Sequence, residues 1–230
     1  MAETSLIDLT ALRRSPLAHL AGELAERSTQ GERGVALREL PFLSMVGIRI
    51  APGSAEGKAL SGIIGLPWPG RHGEVAGSAD GVAILWLGPD EFLLVDPDET
   101  VALPPLAQWQ HPAPGALVSL STHPLTVRLS QELADSHSPG QVVDLSANRT
   151  TLELSGPSAR AVLEKGCHVD LHPRAFGPGQ AVSTALGPVQ VVLWQTQDQT
   201  YRIMPRASFA EYTARWLLDA MTEYSSPGIA

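Results

Sequence analysis

The sequence predicts an α+β fold built from two-layer α/β sandwiches with antiparallel or mixed sheets. Two β-hairpins support this class, one over residues 82–96 and one over residues 189–204. In the first, Gly88, Pro89, Asp90 and Glu91 supply turn chemistry between two apolar runs. Helical segments separate the two hairpins, and a strand–turn–helix unit occupies residues 142–171.

The strand–turn–helix unit has the clearest local pattern in the chain. Residues 142–145 form a short apolar run, residues 146–149 a polar turn, and residues 150–154 alternate as a strand does. Pro157 suits the first position of the following helix, where its missing N–H costs nothing. Gly166 is predicted to end this helix in the left-handed conformation, with Cys167 packing back on the last turn.

The remaining elements follow from apolar periodicity and from turn residues. In chain order they are a helix over 15–26 with Ser15 as N-cap, strands over 35–41 and 44–50, a helix over 55–64, a Gly/Pro-rich loop over 66–81, a Pro-broken stretch over 102–123, a helix from Pro124 to about Ser136, and a loop over 172–179.

A capping box, Ser208 with Glu211, begins the last helix. Its predicted buried stripe is Phe209, Tyr212, Trp216 and Ala220. Because the order of elements mixes hairpins and helices, we expect two domains. One joins residues 1–34 to residues 124–230 as the larger α+β domain. The other, over 35–123, is a smaller ferredoxin-like α+β domain carrying the Pro-rich loop.

Composition limits the classes of function. The 230-residue chain is 43% hydrophobic with a net charge of −8, so it can build a core and disfavours non-specific nucleic-acid binding. The single cysteine excludes an intrachain disulfide framework and suits a reducing compartment. The N-terminus lacks a signal-peptide pattern, and no apolar run reaches the length of a membrane span. We therefore expect a cytoplasmic protein that binds neither nucleic acid nor membrane.

Cys167 and the residues after it are the first candidates for chemistry. A reactive thiol needs exposure and a neighbour that lowers its pKa, and the simpler interpretation is a buried contact at the helix end. His168, Asp170 and His172 occur at every second position, so they would share one face of a strand, where such residues can bind zinc. However, the first and third lie about 13 Å apart in an extended strand, so polar residues at a strand end are the simpler explanation.

Three further features have a functional and a structural interpretation. Asp90 and Glu91 are an acid/base pair or a solvated turn, and the Gly-Pro context favours the turn. Asp144 and Arg149 are an ion pair bracing the turn, or Arg149 holds a carboxylate ligand. Trp68 lies in a loop, where a large apolar side chain is an interface candidate.

Motifs for self-sufficient catalysis are missing from the sequence. It contains no G-x-G-x-x-G after a strand, no phosphate-binding G-x-x-x-x-G-K-[ST], no G-x-S-x-G and no H-E-x-x-H. We therefore predict no catalytic, cofactor-binding or metal-binding residue in this chain.

Several motifs nevertheless resemble a known family. Residues 86–95 (WLGPDEFLLV), 154–160 (LSGPSAR), 165–167 (KGC) and 170–174 (DLHPR) are similar to the gamma subunits of heterotetrameric sarcosine oxidases. Residues 14–20 and 206–209 fit as well. The segments 144–146 and 155–159 also resemble the folate-binding aminomethyltransferase fold, in its N-terminal part. In related folate-dependent iron–sulfur maintenance proteins Gly-Gln-Glu closes the KGC motif, whereas here His168 follows.

The resemblance implies a non-catalytic structural subunit of a complex that demethylates sarcosine oxidatively. The products would be glycine, hydrogen peroxide and, with tetrahydrofolate, 5,10-methylenetetrahydrofolate. FAD, FMN and NAD would lie on larger subunits and zinc on the smallest, none of them on this chain. The implied partners are the large (alpha) folate-binding flavoprotein subunit and the other subunits of a heterotetramer.

Two alternatives remain open at this level. One is a stand-alone folate-binding one-carbon or iron–sulfur maintenance protein, with Asp144 as the pterin carboxylate. The other is a redox or metal sensor that uses Cys167 and His168.

Overall fold

A computed structural model describes residues 13–97, 123–136 and 139–225. Residues 102–122 of the predicted Pro-broken stretch lie outside the described residues, as do residues 1–12 and 226–230. In chain order the elements are α1 (Ala21–Glu26), β1 (Ala36–Leu40), β2 (Ser44–Arg49), α2 (Ala55–Ile64), β3 (Val75–Gly77), β4 (Ala83–Gly88), β5 (Glu91–Asp96), α3 (Pro124–Ser136), β6 (Gln141–Asp144), β7 (Thr151–Ser155), α4 (Ala159–Glu164), β8 (Gln180–Leu186), β9 (Val189–Gln197), β10 (Thr200–Pro205) and α5 (Ala210–Ser225).

The strands form two five-stranded sheets. Sheet A has the order β1-β7-β10-β9-β8, and sheet B has the order β3-β4-β5-β2-β6. Every pairing in both sheets is antiparallel. The predicted α+β class with antiparallel sheets is confirmed.

The two sheets pack face to face, with helices on both outer surfaces. Alternate residues of β4 show the arrangement: Ala83 and Leu85 belong to the cluster between the sheets, whereas Ile84 belongs to the cluster under α2 and α3. Trp194 and Met204 of sheet A complete the cluster between the sheets. A third cluster joins the other face of sheet A to α1, α4 and α5. The result is four layers, helix–sheet–sheet–helix.

The chain changes sheet twice. It leaves sheet A after β1 and returns to it at β7, and these two strands pair with each other, Ala36 opposite Ser155. Sheet B, with α2 and α3, is thus inserted between two neighbouring strands of sheet A. The predicted division into residues 1–34 with 124–230 and residues 35–123 stays a prediction. The sheets themselves place β1 in sheet A and α3 and β6 with sheet B.

Most predicted elements are present, but four details differ. A 3-10 turn, Ala18–Leu20, precedes α1, and the Ser15 hydroxyl donates to the Glu39 carboxylate instead of capping the helix. Strands β3 and β8 were not predicted, because β3 has only three residues and β8 is rich in small and polar residues that give little apolar alternation. No described helix is both long and apolar enough to cross a bilayer.

The buried face of α5 also differs from the prediction. Phe209 and Tyr212 are each 48% exposed, whereas Trp216 is partly buried and Ala220 is buried as predicted. The face turned to sheet A comprises Ala210, Ala214, Leu217, Leu218, Ala220 and Met221. Both sets recur at helical spacing, so periodicity alone does not distinguish them.

Gly166 is not among the glycines that adopt a positive φ. A Cβ at this position would lie 2.5 Å from Cζ2 of Trp216, so close packing of α4 on α5 explains the glycine. The positive φ of 116° belongs to Gly156, before α4, where a Cβ would meet the Gly34 carbonyl at 2.6 Å.

Candidate functional site

A cavity of about 520 Å³ lies where the chain passes between the sheets. Its walls come from the β1–β2 turn, the β6–β7 turn, the segment before α1 and the start of α3. The lining residues are Arg13, Arg14, Pro16, Leu40, Phe42, Leu43, Ser44, Met45, His123, Asp144, Ser146, Ala147, Arg149, Thr150 and Thr151. This size is typical of sites for small organic ligands.

The β1–β2 turn contributes an aromatic wall. Phe42 adopts a φ of 59°, a positive value unique among the described non-glycine residues. A bulky side chain in this conformation costs on the order of 1–3 kcal/mol, which the surrounding contacts must offset. One such contact is the Arg13 guanidinium, whose Cζ lies 4.1 Å from the Phe42 ring centroid.

The β6–β7 turn is held to sheet B by its polar residues. The Asp144 Oδ1 atom accepts a hydrogen bond from the Ser146 amide at 2.9 Å, which forms an Asx turn. The Ser146 Oγ atom accepts from the Met45 amide at 3.0 Å. Asp144 therefore braces this turn through the backbone.

Arg149 connects the same turn to sheet A. Its Nη1 atom donates to the Met204 carbonyl of β10 at 2.8 Å. Burial lowers the pKa of Arg149, nearby Arg206 lowers it further, and Glu91 partly offsets both effects. The guanidinium thus occupies a place where its charge is poorly compensated, at the wall of the cavity.

His123 is a buried cavity residue that sequence reasoning missed. Its Nε2 atom lies 3.3 Å from Oδ2 of Asp96, and its Nδ1 atom lies 3.4 Å from Oγ1 of Thr126. The only sequence signal is its position before Pro124, at the start of α3, and that signal does not indicate a cavity.

The structure places Cys167 at the end of α4. Its amide donates to the Leu163 carbonyl at 2.8 Å, and the side chain packs against the core of sheet A. Burial raises the pKa of the Cys167 thiol, and hydrogen bonds from Val169, Thr184 and His168 only partly offset this effect. The predicted packing contact is confirmed, and a thiol with a raised pKa is a poor nucleophile.

The His168–Asp170–His172 segment forms a turn in place of a metal site. Asp170 Oδ1 accepts from the His172 amide at 2.9 Å, and His172 Nδ1 accepts from the Arg174 amide at 3.2 Å. Within residues 13–97, 123–136 and 139–225, no three His, Cys, Asp or Glu side chains are placed to hold a metal ion.

The other two candidates are structural as well. Arg49 pairs with Glu91 at 2.7 Å and with Asp90 at 3.9 Å, all three being exposed around the β4–β5 turn. Trp68 is partly buried: its Nε1 atom donates to the Gly57 carbonyl at 2.7 Å, and its ring centroid lies 4.6 Å from that of Phe92. Trp68 therefore packs partly against the core of sheet B, and its role at an interface stays a prediction.

Comparisons with known proteins complete the description. The family described as "Sarcosine oxidase, gamma subunit family" matches residues 105–223. Proteins named sarcosine oxidase subunit gamma from Arthrobacter sp. and from Corynebacterium sp. strain U-96 are each 46% identical to this chain over 230 residues, covering all of both chains.

Two solved structures are similar to this chain. A chain of the heterotetrameric sarcosine oxidase from Corynebacterium sp. U-96, in complex with pyrrole 2-carboxylate, matches with a TM-score of 0.81 and 45% identity. That match covers 95% of this chain and 100% of the other.

The second, glycine cleavage system aminomethyltransferase T from Bartonella henselae, matches with a TM-score of 0.56 and 14% identity. It covers 90% of this chain and 57% of that protein, which shows a shared fold. The predicted aminomethyltransferase-like fold is thus confirmed. On its sequence identity over the full length, the chain belongs to the sarcosine oxidase gamma subunit family.

Proposed function

We propose that this chain is a structural, non-catalytic subunit of a heterotetrameric sarcosine oxidase. The observation that carries the proposal is the full-length match to proteins named as gamma subunits, together with a matching chain in a solved heterotetramer. The complex would convert sarcosine to glycine and hydrogen peroxide and, with tetrahydrofolate, yield 5,10-methylenetetrahydrofolate. It would work in the cytoplasm, where an unpaired cysteine stays reduced.

The cofactors of such a complex belong on the other subunits in this proposal. The sequence has no G-x-G-x-x-G motif for a dinucleotide such as FAD or NAD after a strand, and the described residues offer no three-ligand cluster for zinc. The described part of this chain therefore does not fit a dinucleotide cofactor or a zinc ion. Its contribution would be to stabilise the assembly.

The partner in the proposal is the large folate-binding flavoprotein subunit. Phe209 and Tyr212 lie one turn apart at the start of α5, each 48% exposed. Exposed aromatic side chains of this kind are enriched among the residues that dominate binding energy at interfaces. Charged groups flank them: Glu211 pairs with Arg215 at 2.9 Å and contacts His19 at 3.3 Å. An aromatic centre with a polar rim is the usual anatomy of an interface.

Co-expression with the large flavoprotein subunit tests the proposal. We expect the two chains to elute together with sarcosine oxidase activity. The double substitution F209A/Y212A should weaken the complex by about tenfold or more, since truncating a central aromatic often costs over 1 kcal/mol. Val143→Ala, at an exposed apolar position on the edge strand of sheet B, is the matched control. A fully assembled and active complex that forms without this chain would contradict the proposal.

The two alternatives have less support. Full-length relatives named as gamma subunits favour a complex over a stand-alone folate-binding one-carbon or iron–sulfur maintenance protein. A sensor built on Cys167 is disfavoured because burial raises the pKa of that thiol. Calorimetric titration of the isolated chain with tetrahydrofolate separates the first alternative from the proposal, since only a folate-binding protein releases or absorbs heat.

A further inference from the structure

The cavity between the sheets has a charge opposite to that of the molecule. Three guanidinium groups line it against one carboxylate, in a chain whose net charge is −8. The carboxylate, on Asp144, already accepts the Ser146 amide. A cluster of arginines with few carboxylate partners is unexpected in an acidic protein, and it gives the cavity a locally positive potential.

Among these arginines, Arg149 is a cation with few hydrogen-bond and charge partners. Its single side-chain hydrogen bond to a described residue goes to the Met204 carbonyl. This bond uses one of the five N–H donors of the guanidinium. No carboxylate lies within 4.0 Å of it in residues 13–97, 123–136 and 139–225. Its charged neighbours are Arg206, which repels it, and Glu91, which forms an ion pair with Arg49. A half-buried guanidinium with free donors favours a bidentate anion.

Another part of the lining is apolar. Leu40 and Phe42 come from the β1–β2 connection and present aliphatic and aromatic surface to the cavity, with buried Leu43 and Met45 behind them. Phe42 is held there in a positive-φ conformation, a backbone strain that is found most often at ligand sites. A ligand that matches this lining carries one anionic end and one apolar end.

We propose that this cavity binds an amphipathic organic carboxylate, with its carboxylate on Arg149 and its apolar body against Leu40 and Phe42. Arg13 and Arg14 also line the cavity and add a longer-range attraction. The site would be separate from the subunit-docking role, since it does not use Phe209 or Tyr212. Its loss would therefore leave assembly unchanged.

Benzoate and its neutral isostere benzamide are the probes. We expect saturable amide chemical-shift changes in the isotope-labelled full chain on titration with benzoate, clustered at the cavity, with a Kd on the order of 1 mM for so small a ligand. Benzamide should bind about tenfold more weakly or not at all, because it lacks the charge that pairs with Arg149.

Two substitutions locate the site. Arg149→Gln should weaken benzoate binding by about tenfold, whereas Arg174→Gln, at an exposed arginine in a surface loop, should leave it unchanged. Should Arg149→Gln fail to fold, Ala147→Phe serves instead. Ala147 is exposed and lines the cavity, so a ring there should block entry without removing charge or core. Equal binding of benzamide, unchanged binding in both variants, or no saturation at about 50 mM would overturn the proposal.

Discussion

Gly166 shows what a single residue contributes to the packing of helices. A Cβ there would meet the Trp216 ring at 2.5 Å and 3.0 Å, so the Trp216 side chain or the α4 backbone would have to shift. We expect Gly166→Ala to lower the free energy of unfolding by about 1–3 kcal/mol, the usual cost of overpacking. Urea denaturation of the isolated chain measures this change in the free energy of unfolding.

Gly62 is the matched control for this substitution. It lies inside α2, and a Cβ there would meet nothing within 4 Å. Because alanine loses less backbone entropy than glycine in a helix, Gly62→Ala should raise stability by about 0.5–1 kcal/mol. If both substitutions changed stability in the same direction by the same amount, Trp216 would not be the cause.

These two glycines also show the limit of sequence reasoning at the residue scale. The sequence indicates correctly that Gly166 ends a helix, because local chemistry sets where a helix stops. It gives the wrong reason, because the true constraint is Trp216, fifty residues later. Arg149 is similar: its place in a turn was predictable, whereas its bond to Met204 and its position at a cavity depend on how the sheets meet.

At the scale of elements, three strands of sheet A share a row of charged residues, of which Glu153 and Arg202 are buried and Arg38 is exposed. Glu153 of β7 lies opposite Arg38 of β1 and Arg202 of β10. Its Oε1 atom accepts from Arg38 Nε at 2.8 Å, and its Oε2 atom lies 3.7 Å from Arg202 Nε. The Arg202 guanidinium stands 5.3 Å from the Trp194 ring centroid, and burial lowers the pKa of Arg202. Glu153 is the largest favourable charge acting on Arg202, and Asp80 adds a smaller one.

Glu153→Gln should therefore be costly. It keeps the side-chain volume but leaves the Arg202 charge buried without its carboxylate, which typically costs about 3–5 kcal/mol. The control is Glu91→Gln, which breaks an exposed pair with Arg49 and should cost under about 1 kcal/mol. Denaturant unfolding of both variants measures the difference. Replacing Glu153 and Arg202 together by methionine should cost less than Glu153→Gln; the reverse order would contradict this account.

The elements were more predictable than their pairing. Both hairpins, α2 and α3 follow from turn residues and periodicity, which act within about ten residues. Which strands become neighbours depends on distant contacts, so nothing local indicates that β1 pairs with β7 across more than a hundred residues. The buried face of α5 was predicted only in part for the same reason, because packing on sheet A decides which apolar positions of the helix are buried.

At the scale of the whole molecule, one apolar cluster joins the two sheets. Leu85 of sheet B belongs to it together with Val192 and Trp194 of sheet A, all nearly inaccessible to solvent. The chain also enters and leaves sheet B next to paired strands of sheet A. If one sheet unfolded alone, the other sheet would expose its side of this cluster to water. The free-energy cost of that exposure is about 25 cal/mol per Å² of apolar surface. The two sheets should therefore unfold together.

Leu85→Ala tests this coupling, because it opens a cavity in sheet B at its boundary with sheet A. We expect the substitution to lower the free energy of unfolding by about 2–5 kcal/mol, the usual cost of replacing a buried leucine with alanine. The decisive measurement is hydrogen exchange by mass spectrometry: protection should fall in β9 and β10 of sheet A as much as in β4 and β5 of sheet B. Gly62→Ala, which touches neither sheet, should lower protection in neither. A loss confined to sheet B would show that the sheets are independent folding units, because a shared core transmits the loss of one contact to both of its faces.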